Sequence, residues 1–261
     1  MDELARVDRY CDDVPRSAAT VEEIGSLRLF VPTAESFHPW YARPSGTGPV
    51  TADDLRTVLR RQHLLGLPRS VEWIDGRPAG VAAVAAEAGL RVSAHPVLVA
   101  SPEELAPFEP EVDVRVIGPR DDLARVEAVA TVGFATTGTA VGGPGTEALD
   151  AAVETDQARL ATRAARVAAG RPVVAAAFVD GQPVARGGCT VVGDVAEITG
   201  VATLPSFRRQ GLGAAVTAVL GREALRRGAR LLWLSAQDDA VARVYSRLGF
   251  REVGSAGTAE L

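Results

Sequence analysis

The stretch Ala196-Glu197-Ile198-Thr199-Gly200-Val201-Ala202-Thr203-Leu204-Pro205-Ser206-Phe207-Arg208-Arg209-Gln210-Gly211-Leu212-Gly213-Ala214 decides the reading of this chain. A strand runs into a tight loop, Leu204 to Gln210, and the loop opens a helix, Gly211 to Arg227. Leu212, Ala215, Val216, Val219 and Leu220 recur at helical spacing on one face. Arg226 and Arg227 in the last turn, with Gly228 beyond, mark its end. The first amides, from about Gln210 to Ala214, have no partner within the helix. Together with the helix dipole they form an anion site suited to a pyrophosphate. Gly211 and Gly213 leave the backbone open to close approach, and Arg208 and Arg209 add charge at the rim. No Lys-Ser/Thr pair follows, so the loop is not a P-loop. It is also a poor dinucleotide fingerprint, because the strand before it ends an antiparallel meander.

That meander reads as strands over 112–117, 173–178, 184–192 and 195–203, with turns at Asp180-Gly181 and Gly193-Asp194. Helices are expected over 121–130 and 150–169, with a mobile Gly/Thr-rich loop over 135–148. Leu231-Leu232-Trp233-Leu234 is a continuous apolar run. It suits a strand buried on both faces and parallel to its predecessor across a helix. Asp238 can cap a following helix with Val241, Val244, Tyr245 and Leu248 on one face, and Phe250 begins a last short strand. The class is α/β (α+β), a mixed, mostly antiparallel sheet flanked by helices.

Composition narrows the partners. The 261 residues are 47% hydrophobic and 23% charged, as in a globular chain rather than a disordered one. There is no apolar run of membrane-spanning length and no basic-then-apolar leader, so no membrane partner is expected. Cys11 and Cys189 are too few for a disulfide framework, which predicts a cytoplasmic protein. All 28 basic residues are arginine, and the net charge of −5 argues against a nucleic-acid partner. Residues 1–112 carry net −6 and residues 113–261 net +1. A polyanion therefore prefers the second half, and the acidic first half favours a cationic acceptor by steering. The proline- and acid-rich stretch 100–112 reads as a linker, with the domain boundary near 110.

Arg208-x-x-Gly211-x-Gly213 resembles the acyl-CoA-binding motif of the GCN5-related N-acetyltransferase (GNAT) superfamily. About 32 residues further on, Tyr245-Ser246-Arg247-Leu248-Gly249-Phe250 is similar to a second motif of that family, in the expected element order. The resemblance covers 112–255. It implies that loop amides hold the CoA pyrophosphate, and that strands 195–203 and 231–235 splay apart to admit the pantetheine arm. It also implies attack of a primary amine on the thioester of acetyl-CoA, without a metal. The cofactor-binding set so implied is Val201, Ala202, Thr203, Arg208, Arg209, Gln210, Gly211, Leu212, Gly213, Ala214 and Asp238.

Such chemistry needs a base for the amine proton, donors for the oxyanion and an acid for the thiolate. Tyr245 matches the family position that often supplies the acid; otherwise it is a core tyrosine on the apolar helix face. Glu197 is the base candidate, because a carboxylate between Ala196 and Ile198 is costly unless it faces a cleft. It is otherwise a solvent-facing or ion-paired strand residue, with an ordered water near Ser235 or Gln237 as the base instead. Cys189 reads as a buried small hydrophobe rather than a nucleophile, and His38, His63 and His95 lack metal-ligand spacing.

The first half repeats the element order of 195–255 in worn form: a strand over 24–31, a helix over 51–65, a strand over 71–74, a helix over 78–88 and a strand after 91. It reads as a degenerate GNAT-like N-terminal domain (1–110) before a catalytic one (111–261). Arg43-Pro44-Ser45-Gly46-Thr47-Gly48 fits the same motif string. However, Pro49 removes an amide, and Asp53 and Asp54 repel phosphate from the next helix. The expected activity is acetyl transfer from acetyl-CoA to an amine by a monomer or homodimer. The acceptor stays open among a small amine, an antibiotic, an amino acid and a protein amine. The alternative is a non-catalytic acyl-CoA-binding regulatory module.

Overall fold

The computed structural model describes residues 2–33, 36, 40–46, 48–105, 111–136, 138 and 140–261. Unit 1 comprises residues 1–98, 235–238 and 252–261; unit 2 comprises 99–234 and 239–251. The units part at 98–99 rather than near 110, and the last ten residues, expected in the second domain, join unit 1. Residues 106–110 of the expected linker lie outside the described residues.

Unit 1 starts with α1 (Glu3–Asp13), which buries Val7 and Tyr10. The strand expected over 24–31 is found as β2 (Leu27–Pro32), and an unexpected strand before it, β1 (Ala19–Ile24), makes a hairpin with it, turned at Gly25 with φ +57°. There follow β3 (Ala42–Pro44), α2 (Ala52–Leu64), β4 (Ser70–Ile74), α3 (Val81–Glu87) and β5 (Arg91–Ala100). β3 runs antiparallel to β2 and parallel to β4, meeting the latter at Ala42↔Val71. Leu27, Leu29, Leu55, Val58 and Trp73 form the core between sheet and helices.

Unit 2 contains β6 (Asp113–Val116), α4 (Leu123–Ala135), α5 (Leu149–Ala152), α6 (Gln157–Ala168), β7 (Val173–Val179), β8 (Gln182–Val192), β9 (Val195–Thr203), α7 (Leu212–Arg226), β10 (Leu231–Ser235) and α8 (Asp239–Ser246). β11 (Arg251–Glu260) then returns to unit 1 and pairs antiparallel with β4. Within unit 2 the order is β10-β9-β8-β7-β6, antiparallel except for the parallel pair β9/β10. This is the expected mixed, mostly antiparallel sheet.

A Cβ at Gly133 of α4 would lie 3.1 Å from the Ala202 Cβ, whereas one at Gly213 of α7 would lie 3.6 Å from Val201 and Thr203 side-chain atoms. Adjacent residues of a strand point to opposite faces, so α4 and α7 cover opposite faces of the sheet. Val173 to Ala177 and Leu231 to Leu234 are accordingly buried throughout.

The helix expected over 150–169 is broken. Asp156 caps α6 by accepting from the Ala158 and Arg159 amides, and Glu154 Oε1 accepts from the Asp156 amide at 3.0 Å. These short polar closures outcompete helix continuation across 153–156. No helix among the described residues is long and apolar enough to cross a membrane.

Gly249, which ends the turn after α8, has φ +99°, and a Cβ there would sit 2.4 Å from the Glu104 backbone oxygen. Gly249→Ala should therefore cost about 2–3 kcal/mol. Calorimetry should show Tm lowered by about 5–10 °C, and an unchanged Tm would contradict this packing.

Candidate active site

β9 and β10 pair at only three positions, Val195↔Leu231, Ala196↔Leu232 and Glu197↔Trp233. From Ile198 onward β9 has no partner on that side among the described residues, so the strands part at Glu197. On the other side β9 pairs with Thr190 at Glu197, then slips register opposite Gly187, where Gly200 adopts φ +58°. This is a β-bulge, a device that re-aims a strand beside a site. Glu197 is half-buried at the vertex of the gap.

β9 leads through a short 3-10 turn, Pro205–Phe207, to Arg208 and then to Arg209, whose φ is +65°. Gly211 follows at the N-cap of α7 with φ +76° and no side-chain cap. The first helical bond is from the Ala215 amide to the Gly211 oxygen, at 2.9 Å. The amides of Leu212, Gly213 and Ala214 thus precede the hydrogen-bonded part of the helix. Arg209, Gln210 and Gly211 are exposed, Ala214 is half-buried, and Leu212 anchors the turn in the core. The protein itself does not require Gly213 to lack a side chain, since the 3.6 Å contacts a Cβ would make are ordinary. An uncapped first turn with an exposed glycine entrance fits a pyrophosphate.

The Arg208 guanidinium is not at the rim where it is expected. It donates to the carbonyls of Gly133 at 2.9 Å, Thr136 at 2.8 Å and Ala140 at 3.4 Å, closing the C-terminal end of α4. The Gly142 amide donates to Pro205 O at 3.2 Å and the Ser206 amide to Pro144 O at 3.4 Å. The loop after α4 is thereby docked on the turn that precedes α7. Of the 135–148 segment, Thr137 and Thr139 lie outside the described residues.

Tyr245 is held by its ring, which meets Phe250 edge-on with centroids 6.0 Å apart. Its carbonyl accepts from the Leu248 and Phe250 amides. Its hydroxyl has no hydrogen-bond partner among the described residues, and burial pushes the phenol up to about 12. Cys189 is fully buried and burial pushes its thiol up to about 12, so it is unsuited to nucleophilic attack. Asp238, Ser235 and Gln237 are exposed and belong to unit 1. His38 lies outside the described residues, His63 is exposed, and His95 Nδ1 meets Gln237 O at 3.2 Å.

The motif-like string in unit 1 is built differently. Arg43 is 3% exposed and pairs with Asp8. Thr51 caps α2 by accepting from the Asp54 amide at 3.1 Å, and the Asp54 carboxylate accepts from Ser26 at 2.7 Å. That helix start is already occupied by its own oxygens and acids. Thr47 lies outside the described residues.

Sequence reasoning missed the Gly200 bulge and an ion-pair chain behind it. Glu127 of α4 pairs with both Arg186 of β8 and Arg163 of α6, and Arg186 Nη1 donates to Gly200 O at 3.3 Å. A glycine inside a strand pattern was the available signal for the bulge.

Residues 144–250 match the model of the acetyltransferase (GNAT) family. A GCN5-related N-acetyltransferase from Kribbella flavida is 26% identical, with a TM-score of 0.74 over 100% of this chain and 96% of that one. A GCN5-related N-acetyltransferase-like protein from Streptococcus suis shares the fold at 14% identity, with a TM-score of 0.57 over 98% and 97%. A tandem GNAT protein from the clavulanic acid biosynthesis pathway does so at 17% identity, with a TM-score of 0.51 over 90% and 78%. No curated protein matches the sequence.

Proposed function

Because the chain carries an acetyltransferase (GNAT) family domain at residues 144–250, we propose that unit 2 transfers an acetyl group from acetyl-CoA to a primary amine. The observation that supports this reading is the gap that opens at Glu197 between β9 and β10 and leads to the uncapped start of α7. The amides of residues 211–214 would hold the pyrophosphate, with Arg209 as the rim charge. Val201, Ala202 and Thr203 would offer the free edge of β9 to the pantetheine arm. Acetyl-CoA supplies the activated acyl group; the chain supplies position and proton handling.

Glu197, or a water it orders, accepts the amine proton as the nitrogen attacks. Tyr245 donates to the sulfur as negative charge develops there. A phenol at about 12 stays protonated throughout the neutral range. Passing its proton fully to a thiolate of ordinary pKa, about 8.5, would cost about 5 kcal/mol. Tyr245 therefore acts mainly as a hydrogen-bond donor to the departing sulfur, and the proton is completed from solvent. The chain is read as metal-free and cytoplasmic.

Calorimetric titration of the full chain with acetyl-CoA tests the site. One site per chain is expected. Two sites would assign binding to unit 1 as well, and no binding by the folded chain would defeat the proposal.

A further inference from the structure

A cleft of about 350 Å³ lies between α4, α5 and α6, within the usual size range of small-molecule sites. Its apolar wall includes Ala124, Ala128, Ala152 and the Phe134 ring, and Phe134 is 59% exposed. Its polar groups are Glu127, Thr131, Glu154 and Arg163.

The hydrogen-bonding capacity left in this cleft is of one kind. Both Glu127 oxygens are taken, one by Arg186 and one by Arg163. Glu154 is also committed, to the Asp156 amide at 3.0 Å and to Arg159 at 3.5 Å. Arg163 uses only one Nη on Glu127, and its Nε and other Nη have no partner among the described residues. The Thr131 hydroxyl has none either. Arg186 is 6% exposed and must keep Glu127 as its counter-ion, so the chain Arg186–Glu127–Arg163 carries one surplus positive charge. Free donors and surplus positive charge select a carboxylate.

Two tethers join the cleft to the gap in the sheet. Arg186 reaches Gly200 O at the bulge, and Phe134 follows Gly133, whose carbonyl holds Arg208. We propose that this cleft recognises the acceptor, and that the acceptor is a small amino-carboxylate. Its carboxylate sits on Arg163 and Thr131, and its apolar side chain lies against the alanines and Phe134. This rests on the transferase reading above, and it runs against the cationic acceptor that the acidic first half favours.

The test uses L-alanine and L-phenylalanine against their carboxamides, which keep the amine and side chain but lose the carboxylate. Binding is measured by calorimetry in saturating CoA, where no transfer can occur, and turnover by thiol release from acetyl-CoA. The free acids should bind about 10–100-fold more tightly than the amides. Arg163→Gln should remove that preference through KM with kcat kept, and Arg163→Lys should restore part of it. Arg163 is 42% exposed on a helix without buried residues, so the fold should tolerate both changes. Equal binding of acids and amides, no binding of any, or an unaltered preference in Arg163→Gln would overturn the cleft assignment. Turnover of amides as fast as acids would do the same and leave transfer standing. Carboxylate-dependent binding without thiol release would keep the cleft and defeat the transferase reading.

Discussion

Tyr245→Phe should lower kcat by about 10²–10³-fold, the usual loss for one donor aimed at developing charge. The Kd for acetyl-CoA should stay within about 3-fold, because the change removes only the hydroxyl. Phe keeps the ring and hence the edge-on contact with Phe250, so thermal stability should be unchanged. That separates the two readings of this residue. A core tyrosine whose hydroxyl has no partner would lose nothing on conversion to Phe, in stability or in rate. A donor at the sulfur loses rate alone. The pH profile adds a second check. Burial holds the phenol near 12, so Tyr245 imposes no alkaline fall in kcat below about pH 10. Unchanged turnover in Tyr245→Phe would make the residue structural. An alkaline limb near pH 9 that vanishes in the variant would place the phenol in a different environment.

The parts of this molecule visible in the sequence are those fixed by local periodicity and by glycine punctuation. The apolar run 231–234 reads as a strand buried on both faces because nothing polar interrupts it. Gly193 and Gly181 mark the hairpins, and the spacing from Leu212 to Leu220 gives α7. The failures are cases where side chains settle a choice that spacing leaves open. The 150–169 pattern stays periodic across 153–156, and only the Asp156 and Glu154 closures break it. The strand read over 24–31 is present as β2, whereas its hairpin partner β1, joined to it at Gly25, goes unread. Strand β11 looks like the end of the second domain, yet its partner is β4, nearly 200 residues earlier in the chain. Long-range pairing of that kind leaves no local trace.

The candidate site divides the same way. The loop and Tyr245 are picked out by two motifs, and Glu197 by a carboxylate between Ala196 and Ile198; their roles are proposals. The direction taken by Arg208 is not legible in the sequence. An arginine beside an anion site reads as rim charge until the carbonyls of Gly133 and Thr136 at the end of α4, and of Ala140 in the loop after it, are seen to hold it. The Arg186–Glu127–Arg163 chain joins a strand and two helices that no periodicity relates.

Gly211→Asp should lower affinity for acetyl-CoA by at least about 10²-fold while leaving the chain folded. The backbone at Gly211 is left-handed, with φ +76°, a conformation that Asp and Asn enter more readily than other side chains. The strain, about 1 kcal/mol, is offset in part by an acid beside the positive end of α7. The same carboxylate confronts the pyrophosphate. Each pair of like charges about 5 Å apart near a surface costs about 3 kcal/mol, enough alone for about 10²-fold. Gly211→Asn supplies the control, with the same shape and backbone demand but no charge. Its loss should stay under about 10-fold, and the gap between the two variants should narrow as salt rises. Retained affinity in Gly211→Asp would move the anion site elsewhere. Equal losses in Asp and Asn, insensitive to salt, would mean that glycine serves here for backbone shape alone, and that charge at the start of α7 does not decide binding.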